Sequence, residues 1–352
     1  MRAADVQTAL WSAVVDGDEY AAVELLRAAL EGGLDEESLL LDVIAPVQHR
    51  VGAEWAADRL TVAQEHAATA INERAVAALA HRRPAERVPA PRGRVTVSCV
   101  DGEWHAFPAR LLAETLRLRG WRVDFLGAQT PTAHLIAHLH HTDPDAVLLS
   151  GSLPVHLPAA HTAITACQAV GVPVMAGGRA FGADGRHARA LGADRWAPDA
   201  RSTAAVLEAG LTRPSPAAVR HVIDDLPHLS DQEFTLVSQT RSRLVKQTLA
   251  DLEGRVPAVG AYDDDQRERT AEDIAHIVDF LTAALYVDDA EVFTDFLLWT
   301  ADVLAVRKVP AQSLAAAVAL LAGQLRDFPR ALGLLRRGGE ALRTRPAPGP
   351  RS

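Results

Sequence analysis

The chain has 352 residues and a formal charge of −9, with 36 Lys and Arg against 45 Asp and Glu. Hydrophobic residues make up 48% of it, which excludes a mostly disordered chain, and its two cysteines exclude both a disulfide framework and a cysteine-rich zinc site. The excess of acidic residues argues against a nucleic-acid partner. The sequence contains no uncharged apolar run of about 18 residues, so we expect no membrane-spanning helix. Because the N-terminus also lacks the apolar block of a signal peptide, we expect a cytoplasmic protein.

Residues 1–82 predict a helical bundle. Leu25, Leu26, Leu30 and Leu34 recur at helical spacing, and alanine is abundant throughout this region. Residues 83–93 are rich in proline and arginine, which predicts a linker between two domains.

Residues 94–205 change to alternating apolar and amphipathic segments. Strands are predicted at 94–100, 121–127, 145–152 and 172–178, with helical stretches between them. This alternation predicts a Rossmann-like α/β domain with a parallel sheet, whose ligands bind outside the carboxyl ends of the strands. A run of four histidines within 134–141 fits an exposed helix better than a zinc site, because the acidic and cysteine partners of a zinc site are missing.

Residues 217–344 predict a third, all-helical domain. Ile274, Ile277, Val278 and Leu281 lie on one helical face, and Thr270 is a candidate N-cap for that helix. The length and the helical pattern suit a globin-like or bundle fold and are too short for a catalytic barrel.

The segment DGEWHAFP, residues 101–108, directly follows the first predicted strand. A histidine there points out of the carboxyl end of the sheet. Glu103 stands two residues before His105, and a carboxylate at the distal ring nitrogen fixes the tautomer and raises the basicity of a metal-binding histidine. The segment therefore predicts a histidine that binds a transition metal.

This segment and two later ones resemble the cobalamin-binding Rossmann-like modules. The matching residues are Glu103 and His105, then Ser150, Ser152 and Leu153, then Gly177 and Gly178. The resemblance implies that His105 is the lower axial ligand of cobalt in place of the nucleotide base, that a serine bonds the displaced nucleotide tail, and that the glycine pair leaves room for it. Pro108 stands where the family usually has glycine, a departure that the first turn of a helix tolerates.

Residues 51–70 resemble the bundle that caps the upper face of cobalamin in the light-responsive cobalamin-dependent repressors. The matching residues are Trp55, Glu65 and His66. The resemblance implies that Trp55 packs against a 5′-deoxyadenosyl upper ligand, that Glu65 bonds its ribose, and that His66 binds cobalt once that ligand is lost. Those repressors carry a DNA-binding domain before the bundle, and we expect none here because the predicted bundle begins at residue 1.

The order of the three predicted regions resembles the photocobilins, which join a cobalamin module to a globin-like domain that binds a bilin. A bilin needs a polar group under its pyrrole nitrogens, an apolar slot for its rings and cations for its two propionates. His276 is the candidate for the polar group, and Phe280 and Tyr286 are candidates for the slot. The candidate propionate partners are Arg241, Arg243, Lys246, Arg267 and Arg269. Because both cysteines lie in the α/β region, the implied biliverdin would be bound noncovalently in this domain.

We therefore expect a cobalamin-dependent photoreceptor, not an enzyme, that binds adenosylcobalamin and biliverdin and signals through light-driven Co–C cleavage. We expect a homo-oligomer, a dimer or a tetramer, that controls a signalling enzyme such as a diguanylate cyclase and contacts neither nucleic acid nor a membrane. Two alternatives remain open: a corrinoid shuttle protein of a methyltransferase system, and a cobalamin-binding scaffold with a helical oligomerisation domain.

Overall fold

The computed structural model describes residues 2–81, 92–214, 231–307 and 312–345. The chain divides into two compact units, the first made of residues 1–152 and 159–219, the second of residues 153–158 and 220–352. Most of the predicted linker 83–93 and the predicted start of the third domain at 217 lie outside the described residues. Within the described ranges, no helix is long and apolar enough to cross a membrane.

The first unit begins with the predicted helical bundle. Its elements are α1 Ala3–Val15, α2 Glu19–Glu31, α3 Glu36–Ser38, a π-helical segment Leu39–Ile44, α4 Ala45–Ala56 and α5 Val62–His81. Asp18 caps α2 by accepting a 2.9 Å hydrogen bond from the Ala21 backbone N–H. Leu10, Leu26 and Leu40 are buried in the core of the bundle, where their burial supplies the main stabilisation.

A five-stranded parallel sheet follows. Its strands are β1 Arg94–Cys99, β2 Arg122–Gly127, β3 Ala146–Ser150, β4 Val174–Gly177 and β5 Arg195–Trp196. The strand order is β2-β1-β3-β4-β5, so the chain reverses direction across the sheet between β1 and β3. The Rossmann-like prediction is confirmed, and β5 was missed because two residues carry no readable periodicity. The reversal between β1 and β3 is where such sheets bind ligands.

Helices and short 3₁₀ segments connect the strands. They are α6 Phe107–Leu118, α7 Thr132–Thr142, Pro154–His156, α8 Leu157–Ala169, Arg179–Phe181, α9 Arg186–Ala190 and α10 Ala200–Ala209. Pro108 stands in the first turn of α6, where its missing N–H costs no helical hydrogen bond. Phe107 and Leu111 of α6 belong to the buried core of the bundle, so α6 joins the bundle to the sheet.

The described part of the second unit is mostly helical, apart from its connecting turns. Its helices are α11 Glu233–Gln239, α12 Arg241–Arg255, α13 Pro257–Gly260, α14 Asp264–Val287, α15 Ala290–Val306, α16 Gln312–Gln324 and α17 Pro329–Thr344. α14 packs against α12 and α15, and α17 packs against α15 and α16. The predicted apolar face of α14 is buried, with Val278 and Leu281 fully inside. A mostly helical region is confirmed for the described residues, and a globin-like arrangement stays a prediction.

The start of α14 differs from the prediction. Asp263 caps the helix in a capping box with Gln266, and Thr270 lies one and a half turns inside, where its hydroxyl donates to the Gln266 carbonyl at 2.7 Å. The assignment of Thr270 as the N-cap is therefore wrong. The reciprocal pair of Asp263 and Gln266 satisfies two free backbone N–H groups and so begins the helix earlier.

Candidate functional site

Three predicted segments meet at one edge of the sheet. Cys99 at the end of β1 is level with Ser150 of β3, and Ser150 is level with Gly177 of β4. The segments that follow these strands therefore leave the sheet side by side. The structure brings together the His105 loop, the serines after β3 and the glycines after β4, as the sequence predicts.

A buried carboxylate holds the histidine. Glu103 is fully buried, and one of its oxygens accepts hydrogen bonds from the His105 backbone N–H at 3.0 Å and from His105 Nδ1 at 2.6 Å. The hydrogen bond to Glu103 raises the pKa of His105, burial opposes this, and the charges of Glu103 and Glu65 add to the rise. Because a carboxylate only accepts, Nδ1 carries the proton and Nε2 presents a lone pair. The His105 side chain is 47% exposed, so Nε2 is available to a ligand.

Ser152 has a role that the sequence did not show. Its backbone N–H donates to the second oxygen of Glu103 at 2.7 Å, so the segment after β3 fixes the carboxylate that fixes His105. Ser150 is buried, and its carbonyl accepts from the Val100 N–H at 2.9 Å. Leu153 follows half-exposed, just before the 3₁₀ segment. The predicted bond from a serine hydroxyl to a nucleotide tail stays a prediction.

The backbone requires glycine at 178 and leaves little room for a side chain at 177. Gly178 has φ +98°, and a Cβ placed there would lie 2.3 Å from the carbonyl oxygen of Gly151. A Cβ on Gly177 would lie 3.3 Å from the Ala197 carbonyl. Glycine at 178 therefore allows the segments after β3 and β4 to approach each other. Room for a nucleotide tail at this pair stays a prediction.

The three residues predicted for the upper face lie at one end of the bundle. Trp55 is in the last turn of α4, half-buried against the bundle core, and Glu65 and His66 are in the first turns of α5. Glu65 Oε2 lies 2.8 Å from His66 Nδ1, and the His66 side chain is 62% exposed. The charge of Glu65 also contributes to the raised pKa of His105.

Sequence reasoning missed the polar residues that support Glu65. Thr69 and Asn72 follow it at helical spacing on α5, and Gln48 on α4 faces them. The readable signal was a stripe of polar residues at i, i+4 and i+7 in an otherwise alanine-rich helix.

In the second unit, the predicted bilin residues of α14 lie in different environments. His276 is exposed, Phe280 stacks on Phe296 with 3.8 Å between ring centroids, and Tyr286 is buried against Phe234. Ten residues of helix separate His276 from Tyr286, or about 15 Å along the axis. The structure does not bring these side chains together around one slot.

Two of the arginines predicted for the propionates have acidic neighbours. Arg241 donates to Asp279 at 2.7 Å, and this hydrogen bond raises the pKa of the guanidinium. Arg269 lines a shallow surface depression together with Asp265, Glu268 and Glu272. Neither arginine is an isolated cation in this structure.

Comparisons with known proteins agree with this geometry. Residues 6–80 match the family model of a B12 binding domain, and residues 93–207 match a second model, also of a B12 binding domain. A single imidazole donor fits such a cofactor, because the corrin ring supplies the equatorial ligands of cobalt itself. The fold and the site therefore define a corrinoid-binding module made of the bundle and the α/β domain.

The chain is 32% identical over 151 residues to the HTH-type transcriptional repressor CarA of Myxococcus xanthus, covering 40% of this chain and 46% of that protein. The chain thus spans less than half the length of this relative. Among solved structures, it is similar to the monomethylamine corrinoid protein of Methanosarcina barkeri, with a TM-score of 0.48, 20% identity, and coverage of 56% of this chain and 94% of that one.

A second similar structure is the methanol:cobalamin methyltransferase complex MtaBC of the same organism, with a TM-score of 0.32 and 19% identity. The similarity covers 62% of this chain and 84% of that one.

Proposed function

We propose that this protein is a light sensor that binds adenosylcobalamin with His105 as the lower ligand, and that it is not an enzyme. The observation that carries the proposal is the buried Glu103, which holds the Nδ1 proton of His105. The match of residues 51–70 to the light-responsive repressors and the similarity to CarA support the sensor role.

The chain's own residues prepare the lower face. Glu103 keeps the proton on Nδ1, and the Ser152 N–H keeps the carboxylate in place. Nε2 is thereby presented in its metal-binding form before any ligand arrives. This is the arrangement in which an outer-shell carboxylate orients a metal-binding histidine.

Adenosylcobalamin, when bound, supplies a Co–C bond that visible light breaks. Trp55 and Glu65 are the residues of the bundle that would contact its adenosyl group, and His66 would take the upper position after light. Contacts that form only with the adenosyl group would stabilise one position of the bundle. When light removes these contacts, the bundle could shift to a second position.

The lower-ligand role is tested by His105→Ala in an absorption titration with adenosylcobalamin and hydroxocobalamin in the dark. We expect the affinity to fall at least about tenfold and the cobalt spectrum to shift, because the axial donor is gone. His140→Ala is the control, since this exposed histidine lies at the C-terminal end of α7, away from the carboxyl edge of the sheet. An unchanged spectrum and affinity for His105→Ala would contradict the proposal.

The upper-face role is tested by Trp55→Ala, which should weaken the adenosyl form much more than the hydroxo form. Trp11→Ala is the matched control, because Trp11 packs in the same bundle beneath the guanidinium of Arg50. If Trp55→Ala lowered the affinity for both forms equally, the light-sensing proposal would be contradicted. The corrinoid shuttle protein or the cobalamin-binding scaffold would then be the favoured function.

For the output, we propose a change in self-association of a dimer or tetramer, or control of a signalling enzyme such as a diguanylate cyclase. The acidic net charge of −9 supports a protein partner over nucleic acid. Gel filtration of the adenosyl-bound protein before and after green light tests the first output, and an unchanged elution volume would contradict it.

For the second unit, we propose noncovalent binding of biliverdin. The stacked pair Phe280 and Phe296 supports the proposal as a half-buried flat apolar surface. Titration of the full chain with biliverdin should give red absorption that His276→Ala weakens and that acid denaturation releases. An absence of pigment uptake would eliminate this proposal and favour an oligomerisation role.

A further inference from the structure

A chain of hydrogen bonds links the interior of the bundle to Glu65. Asn72 Nδ2 donates to Gln48 Oε1 at 2.8 Å, Gln48 Nε2 donates to Thr69 Oγ1 at 2.7 Å, and Thr69 donates to Glu65 Oε1 at 2.9 Å. Every donor points the same way, towards the carboxylate. Such a series ends in a charge-assisted hydrogen bond, the strongest kind, and its members polarise one another.

This series of hydrogen bonds also connects the two helices that carry the residues predicted for the upper face. Gln48 is on α4, seven residues before Trp55, so the two lie on nearly the same face of that helix. Thr69 and Asn72 are on α5 with Glu65. The hydrogen bonds between α4 and α5 therefore fix the position of Trp55 relative to Glu65.

Asn72, at the buried end of this series of hydrogen bonds, lowers the stability of the fold. Asn72 is fully buried, and its Oδ1 has no hydrogen-bond partner within the part of the chain that the structure describes. The donor direction is fixed at the carboxylate end. Glu65 can only accept, so the Thr69 hydroxyl donates to it and accepts from Gln48 Nε2, which leaves Gln48 Oε1 to accept from Asn72 Nδ2. A buried carbonyl without a partner destabilises the fold, which an apolar residue of similar shape would not do.

We propose that Asn72, Gln48 and Thr69 are positioning residues that hold Glu65 for the upper ligand and so set the preference for adenosylcobalamin. This inference rests on the proposed role of Glu65. In this proposal the hydrogen bonds position one carboxylate, and the unpaired Asn72 carbonyl lowers the stability of the bundle.

The test uses the full chain and two measurements. The first is the dissociation constant for hydroxocobalamin divided by that for adenosylcobalamin, both measured in the dark, so a high ratio means a preference for the adenosyl form. The second is the midpoint of thermal unfolding without cofactor. The variants are Glu65→Gln, Thr69→Val, Thr69→Ser and Asn72→Leu. The controls are Glu73→Gln, an exposed residue of α5, and Thr8→Val, an exposed residue of α1.

We expect Thr69→Val and Asn72→Leu to lower the ratio by about three- to tenfold, since each removes a hydrogen bond in the chain that ends at a charged group. Thr69→Ser keeps the hydroxyl and should keep the ratio. Asn72→Leu should leave the unfolding temperature almost unchanged, because it removes the unpaired buried carbonyl but also the donor to Gln48 Oε1. A residue with a merely structural role would lower the unfolding temperature and leave the ratio unchanged.

The outcomes separate the two claims. If Glu65→Gln leaves the ratio at the wild-type value, the proposed upper-face role of Glu65 is wrong, and this inference is wrong with it. If Glu65→Gln lowers the ratio while Thr69→Val and Asn72→Leu do not, Glu65 keeps its role and the positioning chain is overturned. A loss in Thr69→Ser equal to that in Thr69→Val also overturns it.

Discussion

At the scale of single residues, Glu103 is the most constrained group of the site. It is fully buried and accepts three hydrogen bonds, from the backbone N–H groups of His105 and Ser152 and from His105 Nδ1. Three donors aimed at one carboxylate offset the cost of burying its charge. The position therefore demands an ionised acid.

Glu103→Gln should weaken cobalamin binding by about 10–100-fold, as the loss of other outer-shell partners of metal-binding histidines does. The amide would direct an N–H₂ group at backbone donors, so the loop loses its shape. Asp101→Asn in the same loop is the control, because Asp101 accepts a weaker bond from the Thr132 N–H at 3.3 Å. The measurement is an absorption titration, and equal affinities for the two variants would refute the assigned role.

Gly178→Ala should destabilise the fold more than Gly171→Ala does. Both glycines have positive φ, +98° and +81°, but a Cβ at 178 meets the Gly151 carbonyl at 2.3 Å while a Cβ at 171 meets nothing within 4 Å. We expect Gly171→Ala to cost about 1–2 kcal/mol for the left-handed backbone, and Gly178→Ala about 1–3 kcal/mol more. Urea unfolding measures both, and equal losses would show that the close approach at 178 is unimportant.

At the scale of elements, the bundle is held to the α/β domain by an apolar contact and a charged one. Phe107 and Leu111 of α6 enter the bundle core. Past the other end of α6, Arg119 donates a bidentate hydrogen bond to Glu37 at 2.9 Å, and Arg201 donates a second one at 3.2 Å. α6 begins two residues after His105, so movement of the bundle and the position of the histidine loop are mechanically connected.

The charged contact gives a pH dependence. The hydrogen bond from Arg119 lowers the pKa of Glu37 below its ordinary value of 4.5. A lowered folded-state pKa means that the contribution of Glu37 to stability is complete above pH 4.5 and is lost as pH falls through the folded-state value.

Glu37→Gln should therefore lower the free energy of unfolding by about 1 kcal/mol at pH 7 and by almost nothing well below the lowered pKa. Urea titrations across this range measure the difference, with Glu73→Gln as the exposed control. A difference that persists undiminished in acid would mean that Glu37 acts through packing and not through its charge.

At the scale of the whole molecule, light should change the position of the bundle relative to the α/β domain. In the proposed mechanism, contacts from Trp55 and Glu65 to the adenosyl group would add to those that α6 and Glu37 make between the bundle and the α/β domain, and illumination would remove only the contacts to the adenosyl group. We expect the X-ray scattering curve of the adenosyl-bound protein to change after green light. The hydroxocobalamin-bound protein is the control and should not respond. Identical dark and lit curves for the adenosyl form would count against light-driven rearrangement.

The sequence by itself determined the order of the elements and which residues lie at the carboxyl edge of the sheet. Strand and helix periods differ clearly in residues 94–205, and a histidine after a buried strand must leave the sheet at its carboxyl edge. Glu103 was readable because it stands two residues from His105, so its pairing depends on local geometry alone.

Only the tertiary structure decided which distant residues act together. Ser152 reaches Glu103 across 49 positions, and Gln48 reaches Thr69 and Asn72 across 21 and 24. Thr270 failed as a helix cap because the Asp263 capping box begins the helix earlier. Sequence patterns report which face a residue occupies, whereas a contact between elements depends on how those faces pack. That packing is set by the whole core and not by any local stretch of chain.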